Sequence, residues 1–176
     1  MSKQTVWHPD EAEMKNTRLY KWMESLGYDN YELFRQQTTD DIGWFWDQAV
    51  KVLGINWYKE YDAILDKGTD WKYPVWFKGG KMNIAENALG KWAKNAETAE
   101  KQALIWEGDD GTSLTCTFSE LQKAVHSAAA GFLKLGIKKG EIVTLYMPMI
   151  PETVISMLAL AKIGAIFSPV FSCFCA

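Results

Sequence analysis

The chain has 176 residues, 48% of them hydrophobic and 23% charged, with a formal net charge of −3. This composition describes a globular polypeptide long enough to bury one sizeable core, and the absence of a basic stripe excludes a partner recognised through its phosphate backbone, so nucleic acid is not expected. The opening residues carry no basic start with an apolar run and no small-residue cleavage pattern, and the longest weakly charged apolar stretch, residues 153–161, is too short to cross a bilayer, so a cytoplasmic protein without membrane contact is expected.

Eight of the nine tryptophans precede residue 93, and the composition then becomes aliphatic and alanine-rich. This shift divides the chain into a helical, tryptophan-rich extension over residues 1–82 and a mixed α/β part over residues 83–176. In the extension, Pro9 opens a first helix, with Leu19, Trp22, Met23 and Leu26 at helical spacing and Gly27 to close it. A short second helix begins around Asp29, using Tyr31 and Phe34. For the third, Thr39 is the expected cap, Asp40 and Asp41 sit where the helix dipole favours them, and Ile42, Phe45, Trp46, Ala49, Val50 and Leu53 supply the apolar face up to Gly54. Aromatic residues at such spacing are expected to form a packing surface against another domain rather than a stacking platform for ligands.

Beyond Met82, Asn83 and Glu86 form a capping-box-like pair before a helix with Ile84, Ala85, Ala88, Leu89, Trp92, Ala93 and Ala96 on one face. Leu104 and Trp106, then Leu114, Cys116 and Phe118, alternate with polar residues around a turn at residues 108–111, which predicts an antiparallel hairpin. Thr117 and Glu120 form a second capping box, opening a helix that Gly136 ends. Residues 141–146 then read as a strand, residues 151–162 as a helix and residues 165–170 as a second apolar strand, with Gly164 at the helix end. Strands joined by a crossover helix run parallel, and parallel sheets are normally covered on both faces and continued. A chain that stops six residues later reads as a fragment, whose apolar strand edge or face is expected to make it self-associate.

Few residues announce chemistry. The two histidines, His8 and His126, lie near no elbow-like serine or cysteine, and His126 falls off its helix's apolar stripe, so a hydrolytic triad is not expected. Cys173 and Cys175 are separated by one residue with no second ligand pair, so no metal site is predicted; the three cysteines suggest no disulfide framework, and Cys116 reads as a small core residue. The string Lys78-Gly-Gly-Lys81 could offer an anion site but reads better as a turn, since a full phosphate loop is absent. No three-glycine fingerprint follows a strand, which removes nicotinamide dinucleotides.

Six linked motifs carry a resemblance: Trp76-Phe-Lys-Gly-Gly-Lys-Met-Asn83, Ala103-Leu-Ile-Trp-Glu-Gly-Asp109, Thr117-Phe-Ser-Glu-Leu121, Leu135-Gly-Ile137 with Gly140, Tyr146-Met-Pro-Met-Ile-Pro-Glu152, and Ala161-Lys-Ile-Gly-Ala165. In order and spacing, across nearly the whole chain, they resemble the acetyl-coenzyme A synthetases and, more broadly, the short- and medium-chain acyl-CoA ligases of the adenylate-forming superfamily. The resemblance implies an α/β fold in which a helical extension, a β-hairpin and the first parallel βαβ unit begin an AMP-binding domain. It also implies an ATP- and Mg²⁺-dependent ligase that joins a carboxylic acid to coenzyme A through an acyl-adenylate. The phosphate loop, nucleotide contacts, acyl pocket and catalytic lysine of such enzymes lie further along than Ala176, so no catalytic residue is assigned and the chain alone is expected to be inactive. A free-standing binding or scaffold module derived from the same half-domain is the alternative.

By the same resemblance, Phe171, Ser172, Cys173 and Phe174 map onto the loop that lines the approach of coenzyme A. Cys173 stands where glycine is typical, and if the backbone there needs positive φ a side chain costs about 1 kcal/mol. Residues 90–92, Gly-Lys-Trp, stand where many relatives carry Asp-Arg-His.

Overall fold

The computed structural model describes residues 7–69 and 72–171. The chain divides into two compact units, one formed by the residues up to Ile55 with Tyr61–Gly79, the other by Asn56–Glu60 with the chain from Gly80 onward.

The first unit contains four helices and a hairpin: α1 (Glu11–Asn16), α2 (Arg18–Ser25), α3 (Tyr31–Asp40), α4 (Ile42–Val52), β1 (Ala63–Asp66) and β2 (Val75–Lys78). The single first helix expected from the sequence is instead two. Asp10 caps α1 in a reciprocal box with Glu13, and Thr17, in extended conformation, ends α1 while its hydroxyl accepts the Tyr20 amide to start α2. A side chain that can bond its own backbone competes with helix continuation, and here it wins. Asp41, not Thr39, caps α4: its carboxylate accepts the Trp44 amide at 2.9 Å, while Thr39 remains inside α3 with its hydroxyl on the Gln36 carbonyl at 2.8 Å. The second helix runs a full ten residues behind the Asn30 cap; Phe34 is buried on it, but Tyr31 is exposed. The antiparallel β1–β2 pair was not anticipated in a helical extension.

The aromatic side chains pack on one another within this unit. Trp22, Tyr28, Phe34, Trp44, Phe45 and Trp46 form a chain of tilted and edge-to-face pairs with centroids 5.3 to 6.3 Å apart. Trp46 continues it to Trp76 of β2 at 6.1 Å, and Tyr61 meets Phe77 at 5.2 Å. Each such contact adds roughly 0.5–1.5 kcal/mol beyond area burial, which suits a unit with few aliphatic core residues.

The second unit contains a π-helical turn (Glu86–Gly90) running into α5 (Lys91–Lys94), the antiparallel hairpin β3 (Gln102–Glu107) and β4 (Ser113–Thr117), α6 (Phe118–Lys134), β5 (Ile142–Met147), α7 (Pro151–Ile163) and β6 (Ile166–Phe171). β5 and β6 pair in parallel, in register from Ile142↔Ile166 to Met147↔Phe171. The reciprocal Thr117–Glu120 cap is present, Pro151 stands at the start of α7, and Gly164 ends it with φ 77°. One core joins α6 and α7 through Leu121, Val125, Ala129 and Ala159, with Leu89 from the π-helical turn and Cys116 and Leu104 from the hairpin packed against it. A second joins Leu160 to Leu145 on β5 and to Ala165, just before β6. No helix among the described residues is long and apolar enough to cross a membrane.

The expected Asn83–Glu86 box and the 3.6-residue face after it are not formed. Asn83 spends its carbonyl on the Ala85 amide and its amide on the carbonyls of Ala161 and Lys162, and Glu86 pairs with Lys94 at 2.5 Å. The wider turn then buries Ala85, Asn87, Leu89 and Gly90, while Ile84, Ala88 and Trp92 are exposed. What selects this register is Asn87: its side chain accepts the Asn56 amide at 2.8 Å and donates to the Asn56 carbonyl at 3.0 Å, so a buried amide is matched to a passing strand of backbone.

Candidate functional site

In an open α/β sheet the crevice for ligands lies outside the carboxyl ends of the parallel strands. Here that end is built from Met147 at the end of β5, Phe171 paired opposite it, the turn of Pro148, Met149 and Ile150, and the first turn of α7, which starts at the same end because α7 is the crossover between the strands. Its N-terminus adds the positive end of a helix dipole.

The turn is held from three sides. The Thr153 hydroxyl donates to the Pro148 carbonyl at 2.7 Å, the Ile150 amide donates to the same carbonyl at 2.9 Å, and the Trp106 indole N–H donates to the Met149 carbonyl at 2.7 Å. The last bond ties β3, 43 residues away in sequence, to the rim of the crevice. Met149 and Tyr146 stay largely exposed. Sequence reading missed Trp106 as a rim residue; the available signal was that a partly buried indole N–H needs an acceptor. Its ring also crowds Gly108, where an added Cβ would lie 2.8 Å from Trp106 Cη2.

Of the four residues assigned to the approach of coenzyme A, Phe171 is the last residue of β6, and Ser172, Cys173 and Phe174 lie outside the described residues, as does Cys175. His126 is exposed on α6; partial desolvation first, and then the neighbouring Lys162 ammonium, push its pKa down, Glu86 opposing and Lys94 adding to the effect. Cys116 is half-buried among core residues, as expected of a small hydrophobe. Gly79 takes φ 77° after Lys78, whose ammonium is held by Asp66 at 2.5 Å and holds that carboxyl below the usual range, so the Lys-Gly-Gly-Lys string is a turn. Among the described residues no three His, Cys, Asp or Glu side chains converge in a way that could hold a metal ion. Among the described residues, the carboxyl end of β5–β6 therefore presents backbone, aromatic and apolar groups, with the Glu152 carboxyl in the first turn of α7.

The comparisons agree with one another. The family described as acetyl-coenzyme A synthetase N-terminus matches residues 31–88, and that described as AMP-binding enzyme matches residues 91–174. The chain is similar to the acetyl-coenzyme A synthetase of Deinococcus radiodurans, 40% identical over 171 residues, covering 96% of this chain and 24% of that protein. It is also similar to the acetyl-coenzyme A synthetase of Methanothrix thermoacetophila, 41% identical over 158 residues, 89% of this chain and 23% of that protein. The chain thus spans about a quarter of the length of these relatives. Among solved structures, acetoacetyl-CoA synthetase from Streptomyces lividans has the same fold over 96% of this chain and 27% of its own, with a TM-score of 0.87 at 24% identity.

Proposed function

We propose, from the premise that the chain belongs to the acetyl-coenzyme A synthetase family of adenylate-forming enzymes and corresponds to its N-terminal part, that it is the opening portion of an ATP-dependent carboxylate–CoA ligase. The observation that carries this reading is the tiling of two family descriptions, in order and nearly without a gap, over residues 31–88 and 91–174. Residues 1–82 then serve as the extension and residues 83–176 as the start of the AMP-binding domain.

In the whole reaction a carboxylate oxygen attacks the α-phosphorus of ATP, the bond to pyrophosphate breaks, and an acyl-adenylate forms. The sulfur of coenzyme A then attacks the acyl carbon, the bond to AMP breaks, and the thiol proton leaves to solvent or a base. Activation is needed because a carboxylate is a poor electrophile, and the phosphoric anhydride supplies a stabilised leaving group. Magnesium would offset phosphate charge in that step; the described residues do not fit it, and no step is assigned to them through it. The contribution of this chain is structural: β5, β6 and the turn held by Trp106 and Thr153 form one wall of the crevice, and residues 171–174 line the approach of coenzyme A.

This reading carries with it a small carboxylic acid, ATP and coenzyme A as partners of the whole protein, a cytoplasmic location, self-association of the isolated chain through its uncovered sheet, and no activity of the chain alone. The test is carboxylate-dependent exchange of labelled pyrophosphate into ATP. The 176-residue chain is expected to give none by itself and to restore acyl-CoA formation when mixed with a relative's remaining three quarters. Exchange by the chain alone, or failure to complement despite stable association, overturns the reading.

A further inference from the structure

A groove of about 920 Å³ opens in the second unit beside the C-terminal end of α7 and the first residues of β6, a volume within the range of small-molecule sites. Three lysines line it, Lys81, Lys139 and Lys162, over an apolar floor that includes Met82, Ile84 and Phe167. No acidic side chain lines the groove among the described residues, and none is paired with these three ammonium groups.

Each lysine arrives on a separately anchored segment. Lys81 exchanges backbone hydrogen bonds with Lys59, at 2.9 and 3.2 Å. Lys139 sits in a loop pinned by the Gly140 amide on the Gly164 carbonyl at 2.9 Å, and its stem lies over Gly164, where an added Cβ would come within 2.9 Å of Lys139 Cγ. Lys162 is fixed at the end of α7, where the Asn83 amide takes up its carbonyl and that of Ala161, at 3.0 and 3.2 Å. That clamp also occupies C-terminal carbonyls of α7, whose partial negative charge would otherwise compete for the lysines. Among the described residues, three lysines and no acidic side chain line this one groove together with apolar surface; an anion on an apolar body satisfies both halves of it, and the anchored backbone lowers the ordering cost of binding.

We propose that this groove is a binding site for an amphipathic anion, a phosphate or carboxylate head on a single apolar tail. It is distinct from the crevice assigned above: it meets β6 at Ile166 and Phe167, whereas the crevice lies beyond Phe171, about 15 Å along the strand at roughly 3.3 Å per residue. Its failure would leave the ligase reading untouched.

The test is titration of the chain with octyl phosphate below its aggregation concentration, followed by calorimetry and by amide shifts in nuclear magnetic resonance. Octanol and inorganic phosphate serve as separate arms. The expected result is saturable one-to-one binding with shifts centred on Lys139, Gly164 and Phe167, each half-ligand binding at least about tenfold more weakly. Combined Lys81→Ala, Lys139→Ala and Lys162→Ala, checked for folding by circular dichroism, is expected to weaken octyl phosphate at least about tenfold, and Lys139→Arg to retain binding. Octanol binding as tightly as octyl phosphate would reduce the groove to an apolar patch; inorganic phosphate binding as tightly would reduce it to a plain anion site. Either result, or shifts scattered outside the groove, overturns the proposal.

Discussion

Gly164 shows how one residue can be constrained twice. Its φ of 77° belongs to the left-handed region that side chains avoid, and its missing Cβ is the space that the Lys139 stem occupies. Gly164→Ala is therefore expected to cost about 1–2 kcal/mol, about 1 of it from the backbone and the rest from displaced Lys139. In urea denaturation, adding Lys139→Ala should recover only the second part; full recovery would place the whole effect in the contact and none in φ. Asn87 is the opposite kind of residue, fixed by partners and not by conformation. It is 6% exposed, yet every bond that keeps it there reaches backbone, Asn56 in one direction and Asn83 at 3.3 Å in the other. A polar group buried on those terms holds a register instead of adding much net stability.

At the scale of elements, α6 was readable because its start is written in adjacent residues. The Thr117 hydroxyl accepts the Glu120 amide at 3.2 Å and the Glu120 carboxylate accepts the Thr117 amide at 2.9 Å. Thr117→Ala should cost about 1 kcal/mol of stability. The bonds from Thr117, its backbone amide first, hold the Glu120 carboxyl below its ordinary pKa. A lowered folded-state pKa means that this stabilisation is present above the unfolded value and is lost as pH falls through the folded one. Thermal unfolding followed down through the glutamate range should therefore fall less steeply for Glu120→Gln than for the parent chain, and equal slopes would show that the box contributes nothing to acid lability. The π-helical turn was unreadable by the same local logic. Gly90 lies beneath the Glu86 carboxylate, where a Cβ would meet Glu86 Oε2 at 2.2 Å, and the extra backbone residue per turn exists because Asn87 and Leu89 are claimed by different neighbours.

For the whole molecule, the decisive feature is a two-stranded parallel sheet with one face clothed. Leu145 packs with Leu160 on α7, and Val143, Met147 and Phe167 join that cluster, while Ile142, Tyr146 and Ile166 on the other face stay exposed, Ile142 at 70%. Parallel sheets are normally covered on both sides, and apolar surface left to water seeks a partner. Size-exclusion chromatography should show earlier elution as concentration rises, and Ile142→Lys should shift the chain toward monomer; a clean monomer for the parent chain over a wide range would refute the expectation. The strand–helix–strand order, its parallel sense and the ends of α7 were determined by the sequence itself, because period, Pro151 and Gly164 act within a few residues of where they stand. So was the family, through motifs that keep their order along the chain. Only the tertiary structure decided the π-helical turn, the indole of Trp106 on the carbonyl of Met149 and the gathering of Lys81, Lys139 and Lys162, because each depends on groups tens of residues apart whose meeting no local pattern encodes.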